Sequence, residues 1–520
     1  MLIDINASFG GRESIQRFDV ETLEKQLERT PISLAFVHSH EGVFEQRQGN
    51  AHTRLACDER ARWRPVAVLN PRDTFVWRDD LGECLTAGIK VFRISPVRGA
   101  WPFDSIFGDR LLEELANTGA ALLIDATTPG LPSRIVERAA DTNLPLIFTE
   151  ARYFPLSELI PLAQRFPNVY IETSRLTSPN GIALCVEEIG ASRLIYGSGA
   201  CRYPAWVAWQ TLQRAPISIE DKEAIAWRNA ARLFQLDPPQ PHVPEAFTAT
   251  DVEAIDVHLH DKFPGAPFRS FSAAQYQAEL EQNRVIGGVC SSATAIVHDL
   301  RQGNDENEAL MAEVPAIKGY VVVDPRYPED SALELERLEA SGDFAGVKIH
   351  CSYSKSPTNS KSLRHLFAAI APYGKPVLIH PLGEDWPEAL VAIAREHSEL
   401  PIIAAHAGYG DAPHSTHDAA LRVADQPNIF IEFCSTYLAT GAIRRGIEAV
   451  GTERVLFGSD FPLIALPYMR AAYQDAGLSD HEAAMIYVQN AVRLFPTVLQ
   501  HGTTGQPVQN RREGARMSTR

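Results

Sequence analysis

No CxxC pair occurs among the seven cysteines, which are scattered and odd in number, so neither a zinc ribbon nor a disulfide framework is indicated. No signal peptide is read at the start: Met1-Leu-Ile-Asp-Ile-Asn lacks the basic stretch and the apolar run that such a leader needs. Nowhere does an uninterrupted apolar run approach the roughly 18–20 residues that cross a bilayer. Positive charge is in deficit, with 49 Lys and Arg against 65 Asp and Glu, and the net charge of −16 argues against a phosphate backbone as partner. Neither half carries GxGxxG after its first strand candidate, which counts against a doubly wound dinucleotide-binding sheet. The expectation is a cytoplasmic protein acting on a small molecule, with no nucleic acid and no membrane as partner.

What is present is repetition. The 520 residues exceed what one hydrophobic core sustains, and they read as two versions of one plan. Leu2-Ile-Asp-Ile-Asn-Ala-Ser8 answers Ala254-Ile-Asp-Val-His-Leu-His260, and Ala87-Gly-Ile-Lys-Val91 answers Ala345-Gly-Val-Lys-Ile349. Pro167-Asn-Val-Tyr-Ile-Glu172 answers Pro427-Asn-Ile-Phe-Ile-Glu432, and Arg193-Leu-Ile-Tyr-Gly-Ser198 answers Arg454-Val-Leu-Phe-Gly-Ser459. Near each end Asn229-Ala-Ala-Arg-Leu-Phe234 answers Asn490-Ala-Val-Arg-Leu-Phe495. The separation drifts only from 252 residues (6 to 258) to 261 (199 to 460). Residues 1–236 and 253–497 are therefore expected to be two domains. The Pro-rich stretch 237–252 joins them, and 498–520 forms a disordered tail.

In the second half, short apolar runs alternate with helical stretches. Strands are expected at 254–257, 285–289, 318–323, 346–349, 376–379, 401–404, 429–432 and 454–457. Helices are expected between them, including 388–396 and 481–495, the last opened by a capping box at Ser479 and Glu482. Eight strand–helix units fit an α/β fold of two tandem (β/α)8 TIM-like barrels, since one such barrel takes about 250 residues.

Polar residues stand where these apolar strands finish. His258 and His260, two apart on a strand, share a face and can chelate one ion. His380, His406 and Asp460 end or follow later strands, and the C-terminal mouth of a barrel would bring all five together. Imidazoles with one carboxylate are the donors a borderline divalent ion prefers. These residues, with Gly458-Ser-Asp-Phe-Pro462, resemble the amidohydrolase superfamily, and within it the amidohydrolase-related branch of metal-dependent hydrolases and decarboxylases. The resemblance spans 253–495 and, more faintly, 1–235.

That resemblance implies one divalent ion on His258, His260, His380 and Asp460, zinc first, with manganese, iron or cobalt as alternatives. It implies Asp460 and His406 as catalytic groups. Bound zinc lowers the pKa of its water toward about 7; Asp460 would relay the proton, and His406 would bond the oxygen where charge develops. In binuclear relatives a carboxylated lysine bridges two ions at the fourth strand, where Lys348 stands. Because Lys90 matches Lys348 in a half without ligands, a structural or substrate-facing lysine is the preferred reading. His350, Arg326 and His414 are further substrate-contact candidates, the last with His417 on the loop after the sixth strand.

At the matching positions the first half has Asn6, Ser8, Asp125, Glu150 and Gly199, which hold no ordinary divalent site. His38 and His40 form an HxH out of place on the second strand; with His52, Asp125 and Glu150 they could make an unrelated site, but solvated or hydrogen-bonded rings are the preferred reading. The first domain is expected to pack on the second as a fused pseudo-dimer, with a higher oligomer open. The leading functional expectation is hydrolysis of an amide, lactone or ester-like bond through a metal-activated water. Non-oxidative decarboxylation of a small aromatic acid is the alternative, and a non-catalytic scaffold is the reading from another class.

Overall fold

The computed structural model describes residues 1–13, 16–244, 252–263, 270–342, 344–408 and 416–500. In the second half, seven parallel strands follow one another in sequence order: Ala254–His260, Val285–Ser291, Ile317–Val323, Phe344–His350, Val377–His380, Ile402–Ala404 and Ile429–Ile431. They are almost wholly buried on both faces, as parallel strands sandwiched between side-chain layers must be. The eighth expected strand, 454–457, is no regular strand, yet it bridges the two edges. Leu456 N donates to Ile431 O (2.9 Å) and Val257 N donates to Phe457 O (3.0 Å).

The first half repeats this course in two sheets. Ile3–Phe9, Leu34–Ser39 and Trp63–Pro65 form one; Ala67–Val68, Val91–Ile94, Ala121–Asp125, Leu146–Thr149, Val169–Glu172 and Leu194–Ile195 form the other. Ile5 N donates to Tyr196 O (3.1 Å), tying the last segment to the first. Local details recur as well. Asp4 accepts from the amides of Asn6 and Ser198, both at 2.9 Å, while Asp256 accepts from those of His258 (2.9 Å) and Ser459 (3.1 Å).

Helix boundaries follow local chemistry. Ser479 and Glu482 close the expected capping box, although the helix they open passes through a π turn at Met485–Gln489 before Asn490–Leu494. The helix expected at 388–396 begins two residues earlier, at Trp386, with Pro387 in its first turn. Residues 237–244 have no regular structure. Val498 is buried in the second half's inner core.

One repeat match requires correction. Lys90 is exposed at the edge of its strand, whereas Lys348 is fully buried. Arg93 pairs with Leu123 as Lys348 pairs with Leu378, so Arg93 is the counterpart and Ser95 answers His350. The inference drawn from Lys90 about the role of Lys348 therefore lapses.

The halves touch through helices Ala205–Arg214 and Leu466–Asp475, which pack on one another. Val207 joins the second half's core and Ala439 joins the first half's. Thr440 N donates to Arg202 O and Ala465 N to Thr177 O, each at 2.8 Å, and Arg29 pairs with Asp475 at 3.5 Å. Phe367 lies fully buried in the second core. Phe367→Ala should cost about 3–5 kcal/mol in denaturant unfolding through lost transfer energy and a residual cavity; a loss below about 1 kcal/mol would show that the site collapses.

Candidate metal centre

Strand ends deliver the site. His258, His260, His350, His380, His406 and Asp460 all line one cavity of about 410 Å³. His258 and His260 point inward from the first strand, and Asp460 arrives on the segment that closes the ring. His406 and Asp460 both sit in left-handed backbone, at φ of 60° and 63°. Such conformations cost a non-glycine residue on the order of 1–3 kcal/mol and collect at functional sites. The first half has Glu150 at φ 59° but Gly199 at φ 69°, so where no carboxylate is presented the strain is relieved by glycine.

The hydrogen bonds fix where the protons are. Carbonyl oxygens only accept, so His406 Nδ1, against Cys434 O, must donate. With a neutral ring, His406 Nε2 then accepts from His380 Nδ1 at 2.9 Å. That leaves His380 Nε2 as a lone pair, and it is buried with no hydrogen-bond partner. His258 Nδ1 donates to Glu432 Oε1 at 2.9 Å, so its Nε2 is also a lone pair and accepts from Lys348 Nζ at 2.8 Å.

His260 Nδ1 meets Ser291 O at 3.2 Å and Ser291 Oγ at 3.1 Å, and its Nε2 faces Asp460 Oδ1 at 3.1 Å. His258 Nε2 lies 3.7 Å from the same oxygen. Imidazole nitrogens this close to a buried carboxylate oxygen call for a cation, proton or metal, between them. His258, His260 and Asp460 have ligand atoms mutually within 4.8 Å; His380 lines the cavity but stands outside that group. A second cluster, His258, His406, Glu432 and Cys434, meets the same distance. There Glu432 is already engaged by His258 Nδ1 and by the amides of His406 and Cys434, both at 2.7 Å. It is better suited to orienting His258 than to binding an ion. The Nε2 side, where His258, His260 and Asp460 converge with His380 in the same cavity, has the donor types of a borderline divalent ion, provided Lys348 gives up its bond to His258.

Electrostatics agree with that donor set. Burial holds His258, His380 and His350 well below the ordinary imidazole value, reinforced at His258 by Lys348, at His380 by His406 and at His350 by His380. Burial opposes ionisation of Asp460, but His260, His258 and His406 overcome it and bring its carboxyl down to about 2. Lys348, wholly buried, is lowered to about 8. His350 stacks on His380, ring centroids 4.1 Å apart, and buttresses that ring.

The other candidates disperse. Lys348 is not among the cavity's lining residues, but its Nζ reaches the same His258 Nε2 that faces Asp460. Arg326 is held by Asp324, Nε to Oδ2 at 3.0 Å, and is not among the cavity's residues. His414 lies outside the described residues. His52 pairs with Glu41 on an exposed helix at 2.6 Å, while His38 and His40 enter a cavity of the first half.

Glu432 was missed as a site residue although its repeat partner Glu172 marked it. A strand-end glutamate kept in both halves, next to an invariable requirement for glycine, was the available signal. A Cβ on Gly458 would lie 2.8 Å from Glu432 Oε2, and one on Gly197 only 2.3 Å from Glu172 Oε1. Also missed were Tyr153, Phe154 and Arg202, which reach the second half's cavity from the first half.

Once these features are assembled, the class is a buried strand-end cluster of imidazoles and a carboxylate that could hold a divalent ion, on a parallel barrel-like sheet. The amidohydrolase family profile matches residues 22–236 and again 255–497, and the chain belongs to the amidohydrolase family. No curated protein matches it. Among solved structures it is similar to 5-carboxyvanillate decarboxylase from Sphingomonas paucimobilis, at 18% identity and TM-score 0.38, over 47% of this chain and 99% of that one. It is also similar to 2,6-dihydroxybenzoate decarboxylase from Rhizobium, at 15% identity and TM-score 0.38, over 47% and 98%. A dihydroxybenzoic acid decarboxylase from Polaromonas with bound manganese aligns at 15% identity and TM-score 0.38, over 47% and 97%. No helix among the described residues is long and apolar enough to cross a membrane.

Glu432→Gln should lower affinity for zinc or manganese about 10–100-fold in a chelator competition, because the carboxylate sets the His258 tautomer; unchanged affinity would reduce Glu432 to packing. A second expectation concerns pH. The folded pKa values of His258 and His380 lie below the 6.5 of the free ring. Between the two values the unfolded chain binds more protons, so these groups cost stability as pH falls below 6.5 while their lone pairs stay available in the fold. Metal content after dialysis should therefore hold level from about pH 8 to about pH 6, and a loss centred at the free-imidazole value of about 6.5 would contradict neutral buried rings.

Proposed function

We propose that the chain is a metal-dependent hydrolase of a small, ring-shaped amide, lactone or ester-like substrate, and that its working site is the second half's cavity. The observation that carries this reading is His260 Nε2 turned on Asp460 Oδ1 at 3.1 Å, with the partnerless His380 Nε2 in the same cavity. His258, His260, His380 and Asp460 would hold one divalent ion, zinc first. When bound, the ion would polarise a substrate oxygen and make water a stronger acid.

Asp460, ionised at neutral pH, takes the proton of the attacking water and returns it to the leaving group. His406 holds His380 in its ligating tautomer through the 2.9 Å bond, which makes it a positioning residue in the resting state. Polarisation of the substrate oxygen by His406, as expected from the resemblance, requires that bond to open first. Tyr153, Phe154, Phe263 and Ile296 give the cavity apolar walls that receive a planar ring and exclude water.

Decarboxylation is the second reading, and Arg202 in the cavity wall favours it. A guanidinium is the side chain best shaped to grip a carboxylate. In either case we infer two tandem (β/α)8 barrels, the first having lost its ligands and serving as a fused partner.

The test is a screen of the metal-loaded protein against lactones, amides and aromatic carboxylates, reading acid release against CO2 release. His258→Ala and Asp460→Asn should each reduce whichever activity is found by about 10²–10⁴-fold. Turnover surviving in both would end the assignment. A purified protein with no tightly held divalent ion would support the scaffold reading instead.

A further inference from the structure

The first half's counterpart of the metal cavity has changed its chemistry without closing. A cavity of about 190 Å³ remains there, lined by Arg93, Arg98, Arg152 and Arg202 and by two acids, Asp125 and Glu150. Arg93 pairs with Asp125, and Arg152 with Glu150 at 3.2 Å. Burial disfavours both carboxylates, yet Arg93 lowers Asp125, and Arg175 and Arg152 lower Glu150, so both are ionised. Four guanidiniums against two carboxylates leave the lining with an excess of two positive charges. Among the described residues, no metal-type cluster of His, Cys, Asp and Glu forms here.

His38 supplies an independent observation. Its side chain is 1% exposed, and Nδ1 donates to Ala7 O at 3.1 Å. Burial, then Arg93, holds the ring far below its ordinary pKa, so it is neutral. Nε2 is therefore a lone pair, buried without a hydrogen-bond partner, on a ring that lines this cavity. A buried acceptor left in that state costs about 1–3 kcal/mol, and a ligand hydroxyl would satisfy it.

We propose that this cavity is a second small-molecule site, taking a small di-acid that carries a hydroxyl group. Its carboxylates meet the guanidiniums, where Arg98 stands exposed at the mouth, and its hydroxyl donates to His38 Nε2. The proposal uses none of the residues proposed to hold metal in the second half, although Arg202 and Tyr437 line both cavities.

Calorimetric titration of the full chain with malate and with succinate tests it, in the unaltered protein and in the His258→Ala, Asp460→Asn double variant. Malate should bind both proteins alike, and about tenfold or more tighter than succinate, which lacks the hydroxyl. Arg98→Ala should weaken both acids about tenfold, and His38→Phe should erase the preference for malate. If the His38 variant does not fold, the malate-to-succinate ratio and the Arg98 variant still decide. No binding of either acid at about 10 mM, equal binding of the two, or binding lost in the double variant but kept in Arg98→Ala would each overturn the proposal.

Discussion

Glu432 is completely excluded from solvent, and its two oxygens receive His258 Nδ1, His406 N and Cys434 N. A carboxyl group in that position is costly unless every oxygen is met by donors. Meeting them ties three segments to one point: the first strand, the turn after the sixth and the end of the seventh. The tautomer of His258 follows from that contact, and so does the exposure of its Nε2 to Asp460. Glu172 performs the same service in the first half. It accepts from Asn6 Nδ2 at 3.0 Å and Ser174 N at 2.6 Å, and burial raises it to about 7. The two halves thus keep one backbone, although the imidazole that the hub orients in one is an amide in the other.

The remaining geometry depends on strain and on contact between halves. His406 and Asp460 hold left-handed conformations that only a tightly bonded surround maintains, and the chain keeps them where ligating or positioning groups must be aimed inward. Across the junction, Arg202 and Tyr437 line both cavities, and Arg152 stacks over the Tyr437 ring at 4.0 Å. The first half is therefore wall material for the second half's cavity, and the second half returns the contribution. The first half, though it forms no metal-type cluster among the described residues, is not dispensable to that wall.

Much of this was legible without coordinates. Buried parallel strands are written as continuous apolar runs, so the polar residue that ends each run stands out, and His258, His260, His380, His406 and Asp460 were found in that way. Errors arose where sequence similarity competed with register. The match of Lys90 to Lys348 needs a separation of 258 residues, while Asp125 to His380 needs 255. Arg93 to Lys348 also gives 255, and the strand pairing supports it. A local resemblance at a helix end had imitated a strand. The segment at 454–457 read as a strand because it is apolar, but it bridges two edges with too few paired residues to be one.

From amino-acid order alone came the likeness between the halves, the alternation of strands and helices, and the polar residues that end the strands. All three are properties of order and periodicity along the chain. Only the tertiary structure decided which nitrogen of each imidazole is a lone pair, because that depends on what lies against the opposite side of the ring. It alone brought Glu432 beneath His258 and carried Arg202 across from the other half. It also gathered four arginines around the first half's cavity, beside a ring with an unsatisfied acceptor. Contacts between residues hundreds of positions apart are set by packing, and no local pattern encodes them.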